Sequence, residues 1–121
     1  MSTMDIATKL VGLCRQGKNH EAKDLYAPDA VSVEAFAPSG MEREAKGLEA
    51  IQAKGQWWRE NHEIHSAEVT GPWPNGDRFV VVFRYDVTNK PSGQRIKMDE
   101  VGLYTTQNGK IVREEFFYAG M

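Results

Sequence analysis

Apolar residues recur at intervals of three and four through the first sixty positions and at intervals of two thereafter, so helices precede a run of strands. Behind the capping pattern Ser2-x-x-Asp5, the residues Ala7, Leu10, Val11 and Cys14 share one helical face. Gly17 suits the left-handed end of this helix, predicted over 3–16. Asn19 opens a short second helix with Ala22, Leu25 and Tyr26 on one side, stopped by Pro28. Positions 31–34 alternate as a strand and 37–40 form a loop. Leu48, Ile51, Gly55 and Trp58 then mark the apolar stripe of a third helix.

After His62 the alternation predicts strands over 64–69, 78–88, 95–105 and 110–118, divided by turn-rich segments at 71–76 and 91–93 and by the hairpin dipeptide Asn108-Gly109. Helices followed by a meander imply an α+β architecture: three N-terminal helices on a strongly curved antiparallel sheet, forming a cone around an internal pocket. A two-residue turn at Asn108-Gly109 sets Glu100 opposite Phe117 and Tyr104 opposite Arg113, and the turn at 91–93 sets Phe83 opposite Glu100. One sheet face then collects Phe79, Val81, Phe83, Tyr85, Ile96, Met98, Glu100, Tyr104 and Phe117. The other takes Val80, Val82, Arg84, Asp86, Lys97, Asp99, Glu114 and Tyr118. Glu100 is therefore the carboxylate among aromatic rings, where desolvation raises a carboxyl toward neutrality and lets it donate a proton. The structural alternative is a Glu100 neutralised by Arg84 or Arg113.

Composition narrows the partners. The 121 residues, read as one domain over 1–121, carry a net charge of −2 with scattered rather than clustered Lys and Arg, which speaks against nucleic acid. No apolar run approaches the ~20 residues of a membrane span, and the N-terminus has no secretory pattern. With a single cysteine, Cys14, the expectation is a cytoplasmic protein.

Three phrases resemble the SnoaL-like/NTF2-like superfamily over nearly the whole chain: Leu25-Tyr26-Ala27-Pro28-Asp29-Ala30-Val31, Arg78-Phe79-Val80-Val81-Val82-Phe83 and Gly109-Lys110-Ile111-Val112. They encode a helix stop, a core strand and a hairpin, so they specify fold rather than reaction. Within that superfamily, the resemblance to the ketosteroid isomerase branch implies a general base at Glu34 and a protonated oxyanion-hole acid at Glu100. The branch's oxyanion-hole tyrosine would fall near Leu10, which cannot donate a hydrogen bond.

Other residues receive plainer readings. His62 and His65 face opposite sides of a strand and cannot share a metal, and adjacent Glu114 and Glu115 likewise point apart. Trp58 belongs to the core stripe, whereas Trp57 roofs the pocket or meets a partner chain. No metal, nucleotide or redox-cofactor motif is present, so no cofactor is expected. Two functions stand side by side. The first is a cofactor-independent isomerase, cyclase or dehydratase acting on a small apolar carbonyl compound, with Glu34 and Glu100 catalytic and Trp57, Phe83, Tyr85, Met98, Tyr104 and Phe117 lining the pocket. The second is a non-catalytic ligand-binding or dimerisation module. A homodimer is expected through Val80, Val82, Val101, Leu103 and Phe116 on the outer sheet face.

Overall fold

The computed structural model describes residues 1–37 and 40–119. Pro38 and Ser39 of the expected 37–40 loop lie outside the described residues. Helix α1 spans Thr3–Arg15 and opens on the expected capping box: the Ser2 hydroxyl accepts from the Asp5 amide at 3.1 Å, while the Asp5 carboxylate accepts from the Ser2 amide at 3.2 Å. A short 3-10 helix follows over Asn19–Leu25, then strand β1 over Tyr26–Val33 and the three-residue strand β2 over Glu44–Lys46. Helix α2 spans Leu48–Asn61, and strands β3 (His62–Asn75), β4 (Arg78–Asn89), β5 (Gln94–Gln107) and β6 (Lys110–Phe117) complete the chain.

The strands form one open six-stranded sheet in the order β2-β1-β6-β5-β4-β3. It is mixed rather than wholly antiparallel, because β1 returns beside β6 in the same direction. The inner face of the sheet packs on α1. Ile6, Ala7, Leu10, Val11 and Cys14 bury against Val69, Phe79, Val81, Phe83, Tyr104 and Ile111. Burial of that many apolar side chains, each contributing roughly 1.5–3 kcal/mol, makes this interface the anchor of the fold.

Three expectations change. The strand expected over 31–34 begins earlier, at Tyr26, runs through Pro28 and ends at Val33. Pairing of β1 with β6 is interrupted between Tyr26 and Val31, so a residue without an N–H costs the ladder nothing there. The 71–76 segment is strand rather than turn: β3 loses register between Thr70 and Trp73, resumes with Trp73 opposite Val80, and turns only after Asn75. The third change is a bulge in β6. Thr106 pairs with Ile111 as expected, but Thr105 pairs with Arg113, leaving Val112 as the extra residue. Beyond it every β6 side chain changes face. Tyr104 meets Glu114 instead of Arg113, and Val101 meets Phe117 where Glu100 was expected.

Candidate functional site

The β4–β5 register is as expected, with Tyr85 opposite Met98 and Phe83 opposite Glu100. Strand alternation puts Glu100, Gly102 and Tyr104 on the inner face of β5. Gly102 is required there: a β-carbon would lie 2.9 Å from Tyr104 Cε1 and 3.2 Å from Phe83 Cε2. The two rings occupy the space a side chain would need, and both are buried within the core. Tyr85 and Met98 are half-buried.

On β1 the same alternation turns Ser32 inward, fully buried, and the chain continues directly into half-buried Glu34. The β6 bulge adds Glu114, which pairs with Ser32 across the parallel ladder and is 5% exposed. Its carboxylate accepts from Tyr26 on one oxygen and from the Ser32 hydroxyl, at 2.6 Å, on the other. Helix α2 supplies the cation. Lys54 donates to Ser32 Oγ, lies 3.5 Å from Glu34 Oε1, and stands 5.4 Å from the centre of the Phe116 ring. Glu34 Oε2 is buried and has no hydrogen-bond partner among the described residues.

These groups perturb one another. Burial first, and the negative charge of Glu34 second, push the Glu100 carboxyl up to about 7, against the opposing pull of Lys54. Burial also raises Glu114, although the hydrogen bonds from Ser32 and Tyr26 act in the opposite direction. The Tyr118 hydroxyl is pushed up to about 12 by burial and by the charges of Glu34 and Glu100, while backbone hydrogen bonds with Phe36 and Ala35 act in the opposite direction. Neither arginine proposed to neutralise Glu100 does so: Arg84 pairs with Asp99, and Arg113 with Glu115. Unlike carboxyls that feel each other's charge, one of them paired with an ammonium, can take and give protons near neutral pH.

The expected site residues distribute unevenly. Phe117 is a correction: the bulge turns it to the outer face, 52% exposed, and brings Phe116 inward in its place. Trp57 is exposed and meets only the edge of His62, whereas Trp58 stacks on His62 and tilts against Tyr85. His62 itself donates from Nδ1 to the Trp58 carbonyl at 2.8 Å, closing the end of α2. Two surface concavities, of about 370 and 280 Å³, lie beside α1 and on the outer face at Trp73; neither includes Glu34 or Glu100. No cluster of three His, Cys, Asp or Glu among the described residues has metal-holding geometry.

Lys54, Ser32, Tyr26 and Glu114 are functional candidates that sequence reasoning passed over. Lys54 carried a signal, since it sits three residues after Ile51 and four before Trp58, on the apolar stripe of α2. Glu114 carried none, because its face depends on the bulge.

Comparison with known proteins bears on the family and the fold. The SnoaL-like domain family matches residues 1–118. A crystal structure from Mesorhizobium loti, described as a candidate SnoaL-like polyketide cyclase and, in brackets, a carbohydrate phosphatase, is 47% identical. It aligns over 98% of this chain and 100% of that one, with a TM-score of 0.91. A candidate isomerase from Bacillus subtilis is 17% identical over 97% of this chain and 86% of that one, with a TM-score of 0.76. A protein of ketosteroid isomerase-like fold from Catenulispora acidiphila, in complex with trimethylamine, is 20% identical over 94% and 85%, with a TM-score of 0.72. The two distant likenesses concern fold alone. No curated protein matches the chain. With the family matched over almost its entire length, the chain belongs to the SnoaL-like domain family.

Proposed function

We propose that this SnoaL-like protein binds a small apolar carbonyl compound at the inner-face carboxyl cluster and moves a proton on it. Glu34 Oε2 takes the proton from the carbon beside the carbonyl, and the C–H electron pair becomes the carbon–carbon double bond of an enol. The carbonyl oxygen meanwhile receives the proton of Glu100. Glu34 then delivers a proton to another carbon (isomerisation), or to the same carbon after trading its proton with solvent (exchange), while the enol O–H proton returns to Glu100 and the carbonyl re-forms. The observation that carries this reading is the unlike state of two neighbouring carboxyls: one pairs with an ammonium and keeps a free oxygen, the other is held near neutrality by burial. Pairs of titratable groups driven apart by their surroundings are the usual basis for dividing acid and base roles.

The test uses 2-tetralone, whose α-protons exchange in D2O, and 2-naphthol, which mimics its enol without reacting. The protein should accelerate exchange above buffer, and Glu34→Gln should reduce that acceleration by about 10²-fold or more. Glu100→Ala should weaken 2-naphthol binding by about tenfold through the lost donor. Wild-type exchange at the buffer rate, with 2-naphthol binding indifferent to Glu100, would leave a non-catalytic binding module.

A second copy of the chain is proposed as partner on the outer face. There Trp73, Val80, Leu103, Val82, Val101 and Phe117 form adjoining rows across β3, β4, β5 and β6. Trp73 and Phe117 are 54% and 52% exposed. That exposure favours the dimerisation reading as a companion of the chemistry, not a substitute for it.

A further inference from the structure

Lysine in a carboxyl cluster commonly serves as a neutralising charge and nothing more. The surroundings of Lys54 are more specific. Its ammonium has three hydrogens to place. One goes to Ser32 Oγ, the nearest carboxylate oxygen is Glu34 Oε1 at 3.5 Å, and the Phe116 ring covers another side. Because Ser32 receives from Lys54, its own hydroxyl hydrogen is free to run on to Glu114 Oε2 at 2.6 Å. The other Glu114 oxygen is taken by Tyr26. The chain of donors therefore has one direction, from Lys54 through Ser32 into a carboxylate whose two oxygens are both engaged.

One fully buried side-chain oxygen is left without a partner among the described residues. Glu34 Oε2 is buried and unpartnered among the described residues, although its sister oxygen faces the ammonium. A buried acceptor without a partner costs roughly 1–3 kcal/mol, and such groups persist where a role compensates. We propose that Lys54 is the positioning residue of the base: anchored through Ser32 to Glu114, it holds Glu34 by Oε1 and leaves Oε2 aimed at the substrate carbon. This rests on the proton-transfer reading above. It assigns Glu114 and Ser32 to anchoring Lys54 rather than to touching substrate.

Besides Lys54, the charged or titratable groups around Glu34 are Glu100 from β5, Glu114 from β6, Tyr118 just beyond β6, and Arg43, which donates from Nε to the Glu34 backbone carbonyl at 3.0 Å. Arg43 reaches Glu34 only through its backbone carbonyl, so among the described residues Lys54 is the cation paired with the Glu34 carboxylate. Removing it should disfavour the ionised base, whereas a salt bridge that merely pins α2 to β1 would affect melting alone.

The experiment follows 2-tetralone exchange by proton NMR across pH 5–9 in wild type, Lys54→Met, Lys54→Arg and Ser32→Ala, with thermal melts of each. Lys54→Met should lower kcat by about 10²-fold with little change in KM, and move the acid limb of the profile up by about one pH unit. Lys54→Arg should restore most of kcat and the original limb. Ser32→Ala, which keeps the charge but removes its anchor, should fall between them, and it decides the matter if Lys54→Met does not fold. Exchange in wild type, lost in Glu34→Gln but unchanged in kcat and acid limb in both Lys54→Met and Ser32→Ala, overturns the positioning role and leaves the function standing. An arginine variant as impaired as the methionine variant also overturns it. Wild type that exchanges no faster than buffer overturns the function itself, and the positioning role with it.

Discussion

Glu100 sits on β5 between Met98 and Gly102, with buried Phe83 directly across the ladder. Its carboxyl, pushed up to about 7, ties stability to pH in a definite direction. The folded chain holds this proton more tightly than the unfolded one. The contribution is therefore complete below the unfolded value of about 4.3 and fades as pH rises through about 7. Glu100→Gln, which keeps the shape and removes the charge, should come close to wild type near pH 4.5 and exceed it by about 3–4 kcal/mol at pH 8. Chemical denaturation at the two pH values measures this; a variant less stable than wild type at pH 8 would mean that an ionised Glu100 supports the fold. The residue was readable from sequence because the β4–β5 turn sets its face and because Phe83, Met98 and Tyr104 surround it in the pattern. Lys54 was readable in principle from its place in the α2 stripe, but a lysine there reads first as a break in the stripe.

At the level of elements, the helices and the long strands follow from periodicity, and the failures have one cause. Alternation gives faces only while register runs unbroken. The Val112 bulge in β6 lies just past an unmistakable hairpin turn, and a single unpaired residue puts Glu114 and Phe116 on the inner face in place of Arg113 and Phe117. Nothing in Lys110-Ile111-Val112-Arg113 announces it, since bulges need no special residue type. The Trp73 segment failed for the opposite reason. Gly71, Pro72, Pro74 and Gly76 look like punctuation, yet β3 is an edge strand with β4 alone beside it, and an edge tolerates prolines that a central strand would not. The strand β2 is three residues long, too short for any alternation to show. The candidate site is built where two of these irregularities meet: β1 resumes its pairing with β6 beyond the break, and the β6 bulge turns Glu114 inward beside Ser32.

For the whole molecule, the order of elements and the α+β class follow from the switch in period, while the mixed sheet does not, because parallel pairing of β1 with β6 joins segments some eighty residues apart. The outer face of that sheet is opposite α1 and carries exposed Trp73 and Phe117. Face-to-face association should bury them, so light scattering at high micromolar concentration should return the mass of a dimer, and Phe117→Asp combined with Trp73→Asp should return a monomer. A wild-type monomer under those conditions contradicts the association. The two sides of the inner layer differ as well. Five α1 residues are buried, whereas α2 has no fully buried residue and starts at Gly47 without a side-chain cap. Free energies of opening should therefore be graded across the molecule. In native-state hydrogen exchange the amides of α2 should exchange well before those of α1 and β4, through a partial unfolding that leaves the sheet intact. Since α2 carries Lys54, that same fluctuation would expose and reseal the carboxyl cluster, making the less protected of the two α-helices the gate to buried charges.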